Sequence, residues 1–233
     1  GNDTIAVRQR RPAHGPILVV VASLGTTGVY VAARDIDIAG RRATIRAESQ
    51  VRNEHPDART FVYEVKVRDR DGKLVAQFAA PPQKVAPGAS AVVTASASVG
   101  KLNFWSWGYG YLYAVQTILK VNGKPVDSVV TRTGFRKTGF ADGMVTLNGR
   151  VIQLKGYAQR TSNEWPAIGL SVPAWLSDYS NGLMLASNAN FVRWMHTAPW
   201  KQDVESLDRI GLLQALPAGD SEADVTGRRW EQR

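Results

Sequence analysis

From Gly28 to about Lys137, apolar and polar residues alternate in short runs: VYVAA (29–33), ATIRAESQVRN (43–53), TFVYEVKVRD (60–69), LVAQFAA (74–80), SAVVTASASV (90–99), YAVQTILKV (113–121) and DSVVTRTGF (127–135). Period-two alternation is what a strand shows when one face is buried and the other is wet, so each run predicts a strand. The breaks carry turn chemistry. Asp71-Gly72 and Asn122-Gly123 pair residues that tolerate positive φ, as tight hairpins require, and Pro87-Gly88 marks a further turn. Seven strands within about 110 residues, joined by tight turns, predict an immunoglobulin-like β-sandwich.

The pattern changes after Phe140. VTLNGR (145–150) reads as a hairpin and VIQLKGY (151–157) as an apolar strand. PAWLSDYSNGLMLASNA (173–189) switches to a 3.6-residue period, with Trp175, Tyr179, Leu183 and Ala186 on one face, Trp175 expected in the core and Pro173 where a first helical turn accepts it. NFVRWMH (190–196) predicts a strand, WKQDVESLDRIG (200–211) a helix and LLQAL (212–216) a short strand. Strand, helix, strand, helix, strand with short links is the pattern of a parallel sheet. Three strands do not close a barrel, and the stretch from Pro217 onward reads as a loop, so the chain is expected to be an excerpt of a longer polypeptide.

Composition narrows the function classes. The chain has 233 residues, 44% of them apolar, which suits a folded protein of one large domain or two ordinary ones. The longest apolar run, Ile17 to Ala22, has strand length and falls short of the roughly 18 residues of a membrane-spanning helix. No membrane association is expected. The net charge of +9 is spread from Arg8 to Arg233, with short groups at Arg8-Arg10-Arg11, Arg41-Arg42 and Arg228-Arg229. Dispersed charge of this kind reads as solvated surface, and no nucleic-acid partner is expected. Cysteine is absent, which excludes disulfides and thiolate metal sites and is compatible with either redox compartment. His14, His55 and His196 are far apart, so no metal or cofactor is expected. GNDTIAVRQRRP at the start has charge but no apolar segment behind it. Periplasmic, secreted and cytoplasmic locations all remain compatible.

Between two predicted strands lies NFWSWGYGYLY (103–113), with six rings in eleven positions: Phe104, Trp105, Trp107, Tyr109, Tyr111 and Tyr113. It reads as structural, with Tyr111 and Tyr113 on one face of the strand they lead into and a tryptophan packed between elements. Gly108-x-Gly110 lacks the flanking strand and helix of a phosphate loop. Further motifs follow in order: Arg132-x-Gly134-Phe135-Arg136; Leu147-Asn148-Gly149-Arg150 with Leu154-Lys155-Gly156; Val192-Arg193-x-x-His196; and ESLDRIGLL. Together with Trp105-Ser106 and Tyr111-Leu112-Tyr113, this order and spacing resembles glycoside hydrolase family 2, the β-galactosidases, β-mannosidases and β-glucuronidases.

The resemblance implies mostly β structure with an α/β C-terminal part. Residues 1–25 would be the tail of a jelly-roll sugar-binding domain, with ILVVVAS (17–23) as its last strand. Residues 26–140 would be the immunoglobulin-like sandwich and 141–233 the truncated start of a (β/α)8 TIM barrel. The implied activity is hydrolysis of terminal β-linked sugars, β-galactosidase-like, by a retaining route with two carboxyl groups roughly 5 to 5.5 Å apart. In the family both are glutamates on later barrel strands. No catalytic residue is therefore expected here, and this stretch alone is expected to be inactive. The partner is a carbohydrate, and a homo-oligomer of the full-length protein is compatible.

Substrate-binding candidates follow from the same comparison. Arg193 and His196 match family positions at the non-reducing sugar. A guanidinium can brace a carboxylate with a fork of hydrogen bonds, and an imidazole can bond a hydroxyl. The loop GYAQRTSNEWP (156–166) supplies Gln159, Arg160, Glu164 and Trp165 as pocket-lining candidates, in place of the family's histidine-rich loop. Trp194 and Trp200 join Trp165 as rings able to stack on a pyranose, whereas Asn53-Glu54 reads as a polar turn. The alternative, from another class, is a non-catalytic carbohydrate-binding or adhesion sandwich whose binding surface is the aromatic cluster.

Overall fold

The computed structural model describes residues 5–9, 18–20, 28–159, 172–195 and 198–216. The chain forms two compact units. Unit 1 comprises residues 1–104 and 112–137, and unit 2 comprises residues 105–111 and 138–233.

Unit 1 is a two-sheet sandwich of β1 (Ile5–Gln9), β2 (Leu18–Val20), β3 (Val29–Asp37), β4 (Arg42–Asn53), β5 (Arg59–Arg68), β6 (Leu74–Ala79), β7 (Gln83–Val85), β8 (Ser90–Val99), β9 (Tyr113–Val121) and β10 (Lys124–Thr133). One sheet runs β1-β10-β9-β5-β6, with β7 also on β5. In the other, β4 is flanked by β2 and β3 on one edge and β8 on the other. All these pairs are antiparallel. The expected alternation is realised in β4 and β5, whereas no residue of β6 is fully buried. Phe61, Tyr63, Val65 and Val67 of β5 face Ile45, Ala47 and Val51 of β4 in a core from which water is excluded. Burying side chains of this size contributes roughly 1.5–3 kcal/mol each. Polar bonds tie the sheets: the Ser49 and Tyr63 hydroxyls meet at 2.6 Å, Asp127 Oδ2 accepts from the Val20 N–H at 2.9 Å, and Asn53 Nδ2 donates to Val85 C=O at 3.0 Å. Burial pushes the Tyr63 hydroxyl up to about 12.

Of the stretch 1–25, assigned from the resemblance to a preceding domain, the described residues Ile5–Gln9 pair with β10 and Leu18–Val20 pair with β4. The turn at Asn122-Gly123 follows the expected chemistry, whereas at Asp71-Gly72 only the glycine takes positive φ, at 80°. Asn122 and Gly123 both hold positive φ, 50° and 75°, which matches the right-handed twist of the strands they join.

Unit 2 opens with a three-stranded antiparallel sheet, β11 (Thr138–Ala141), β12 (Met144–Leu147) and β13 (Arg150–Val151). There follow β14 (Gly156–Gln159), α1 (Ala174–Ala186), β15 (Phe191–Trp194), α2 (Lys201–Ile210) and β16 (Leu213–Ala215). The last three strands form a parallel sheet in sequence order, β14-β15-β16.

Two local expectations are corrected. VIQLKGY is not one strand: Val151 closes the antiparallel sheet, and the parallel strand starts only at Gly156. The gap between them is held by Asn190, whose side chain accepts from Lys155 N–H and donates to Gln153 C=O, both at 2.8 Å. The second correction concerns α1. Trp175, Tyr179 and Leu183 do share a face, but they are 68%, 55% and 52% exposed, and Trp175 is not core. The buried positions are Leu176, Ser177 and Asn181. Ser177 Oγ donates to Asp203 at 2.5 Å and Asn181 Nδ2 to Ser206 at 3.1 Å, so α1 meets α2 through a polar seam. Small hydroxyl and amide groups that satisfy one another allow that face inward.

Candidate functional site

The parallel sheet of unit 2 has two unlike faces. Tyr157, Val192 and Trp194 point to the helices, where Val192 and Trp194 pack with Leu207 and Leu212. The indole N–H of Trp194 donates to Gln214 at 3.0 Å. Trp194 is thus core, which removes it from the rings able to stack on a sugar. Trp200, at the N-cap of α2, remains half exposed.

Alternation sends Gly156, Ala158, Phe191, Arg193, Leu213 and Ala215 to the opposite face. Register aligns Ala158, Arg193 and Ala215 in one row across the three strands. Arg193 therefore stands between two methyl groups, exposed, with one guanidinium nitrogen 3.3 Å from the Met195 sulfur. Small neighbours leave room for a ligand beside the guanidinium. Sequence reasoning missed the two alanines; small residues at matching offsets in successive parallel strands were the available signal. The row lies toward the C-terminal ends of the strands, where sheets with βα connections place their sites.

Gln159 aligns with Trp194 in register and is buried, so it lies on the helix-covered side and apart from Arg193. Its side-chain oxygen has no hydrogen-bond partner among the described residues. Arg160, Glu164, Trp165 and His196 lie outside the described residues. Among the described residues no three histidine, aspartate or glutamate side chains gather as a metal ion would require.

The aromatic segment is split between the units. Phe104 and Tyr113 belong to unit 1, where Tyr113 stacks on Phe135 with centroids 5.2 Å apart. Trp105, Trp107, Tyr109 and Tyr111 belong to unit 2. Tyr111 and Tyr113, expected on one strand face, thus serve different cores, since β9 begins only at Tyr113. Trp105 is buried and donates its indole N–H to Asp208 C=O at 2.8 Å. Trp107 donates to Ala189 C=O at 3.1 Å. The glycines serve this docking. A Cβ on Gly110 would stand 2.0 Å from Arg209 C=O, and one on Gly211, the left-handed C-cap of α2, 2.7 Å from Ser106 C=O.

Known proteins resemble this chain in sequence and in fold. The sequence pattern of Glycosyl hydrolases family 2 matches residues 29–136. A β-glucuronidase of Formosa agariphila is 29% identical over 212 residues, 91% of this chain and 21% of that protein. The structure of a β-glucuronidase from glycoside hydrolase family 2 superposes over 92% of this chain and 23% of its own, with a TM-score of 0.82 and 28% identity. A Bacteroides uniformis β-glucuronidase shares the fold, with a TM-score of 0.71 over 82% of this chain and 23% of its own at 22% identity. The chain thus spans about a fifth of the length of the relatives it matches. The family pattern over the sandwich, the alignment across both units and the superposition all make this chain similar to glycoside hydrolase family 2.

Proposed function

We propose that this chain supplies the sandwich and the first three strands of a (β/α)8 catalytic barrel to a retaining β-glycosidase that removes terminal β-linked uronic acid, with glucuronate preferred over galactose. The alignment with a β-glucuronidase across 91% of the chain carries the reading. Parallel strands in sequence order with helices between them are how such a barrel begins. The exposed apolar stripe on α1 suits burial under further βα units. On this reading 141–233 opens the barrel and 26–140 is the body of the sandwich, to which β1 and β2 from the stretch 1–25 are added.

Arg193 is the substrate-facing residue of choice among those described. Its planar fork matches a sugar carboxylate or a catalytic one, and its place beside two alanines leaves it reachable. His196 would bond a sugar hydroxyl and Arg160, Glu164 and Trp165 would line the loop beside it. The two glutamates that act as nucleophile and acid/base would come from later strands.

The test is to express the polypeptide extended beyond Arg233 and assay nitrophenyl β-glucuronide and β-galactoside. We expect cleavage of the glucuronide with retention at the anomeric carbon, followed by NMR, and none by the 233-residue chain alone. Arg193→Ala should lower kcat/KM by about 100-fold while leaving the melting temperature unchanged. Inversion, or hydrolysis by the 233-residue chain, would sink the proposal.

A further inference from the structure

We infer that unit 2 carries a second saccharide site, for an acidic oligosaccharide, at the opposite end of the parallel strands from Arg193. A cleft of about 410 Å³ is lined there by Trp107, Leu147, Arg150, Ile152, Lys155 and Asn190. Lys155 and Asn190 immediately precede β14 and β15, which fixes the cleft at the strands' N-terminal ends. Its volume falls in the range of small-ligand sites.

The walls are set before any ligand arrives. Asn190 clamps the backbone of Gln153 and Lys155 through both ends of its amide, and its own N–H donates to Lys155 C=O at 3.0 Å. Trp107 is pinned by its indole bond to Ala189, and the next residue, Gly108, donates to Gly211 C=O at 3.0 Å. A ring held in this way loses little freedom when a ligand stacks on it. It is nevertheless 37% exposed, so part of its face is open.

The lining defines the ligand. The indole with Leu147 and Ile152 offers apolar surface to the C–H face of a pyranose. Arg150 and Lys155 are exposed and form no ion pair among the described residues, so both charges are available to an anionic ligand in the cleft. Two cations beside a pinned ring select an acidic sugar over a neutral one. This inference rests on the uronic-acid reading above, in which a second contact with a polymeric substrate raises its effective concentration at the strands' other end.

The probe is a hyaluronan hexasaccharide, which carries β-linked glucuronate, titrated into the 233-residue chain by calorimetry, with chitohexaose as the neutral counterpart and inorganic sulfate as competitor. Saturable binding of the acidic oligomer is expected, weakened about tenfold by Arg150→Gln and by Lys155→Gln and abolished by Trp107→Ala. Near-UV circular dichroism checks that each variant stays folded; should Trp107→Ala unfold, the two charge variants decide. Absence of saturable binding, equal binding of chitohexaose, or displacement by equimolar sulfate overturns the site. If the extended polypeptide cleaves glucuronides while this cleft binds nothing, only the cleft falls. Binding here without any glucuronide hydrolysis keeps the site and removes the glucuronidase reading.

Discussion

Asp203 is fully buried between α1 and α2, where Oδ1 accepts from Ser177 Oγ and Oδ2 from Trp200 N–H at 3.2 Å. Burial pushes its carboxyl above the usual carboxylate range, and the two hydrogen bonds offset only part of that rise. A folded-state pKa above the unfolded one contributes stability that is complete below the unfolded value and lost as pH rises through the folded one. Unfolding of unit 2, which holds all seven tryptophans, can be followed by their fluorescence in urea. Its free energy should decline across that interval in the native chain and not in Asp203→Asn. Ser177→Ala removes a donor from the buried carboxylate and should cost about 1–3 kcal/mol at neutral pH. Glu64 of β5 behaves oppositely. Burial raises its carboxyl, but the hydrogen bond and charge of Lys120 at 2.8 Å, joined by Lys66 at 3.5 Å, outweigh burial and hold it below its ordinary value. Its contribution is present above the unfolded pKa and lost as pH falls through the folded one, so Glu64→Gln should flatten the acid limb of unit 1 unfolding measured by far-UV circular dichroism.

Among the elements, the hairpins were legible because a turn is decided by two neighbouring residues. Asp142-Gly143 and Asn148-Gly149 take the same pair of positive φ values as Asn122-Gly123, as their composition dictates. The orientation of α1 was not legible. Its periodicity marks one apolar stripe correctly, yet the stripe faces outward, because the inward choice depends on Asp203 and Ser206 of another helix. Trp175→Gln should therefore change the stability of this chain by no more than about 0.5 kcal/mol, as a surface substitution does, where a core tryptophan would cost several-fold more. The aromatic segment depends on the reverse kind of contact, backbone against backbone. Gly110→Ala should destabilise unit 2 by about 2–4 kcal/mol, read from tryptophan fluorescence, since a Cβ there meets Arg209 C=O at 2.0 Å and neither backbone can yield alone.

At the scale of the whole molecule, β1 and β2 join the two sheets of unit 1 although they precede the matched family region. A chain beginning at Val29 would leave the outer edge of β10 unpaired and remove the N–H that Asp127 accepts. It should melt several degrees lower and associate through the exposed edge, as scanning calorimetry and size-exclusion chromatography would show. The candidate site was legible only in part. Arg193 lies on a strand, as the run NFVRWMH predicts, but its alanine neighbours, the burial of Gln159 and the loss of Trp194 to the core follow from strand register. The sequence alone determined the strand alternation, the turn pairs, the change to a helix–strand pattern after Phe140 and the resemblance to the family, because each rests on residues adjacent in the chain or on their order. Tertiary structure decided which face of α1 is buried, how NFWSWGYGYLY divides between the two units and which rings stay open to a ligand. Those outcomes rest on packing and hydrogen bonds between residues such as Trp105 and Asp208, which lie far apart along the chain and carry no local signal of one another.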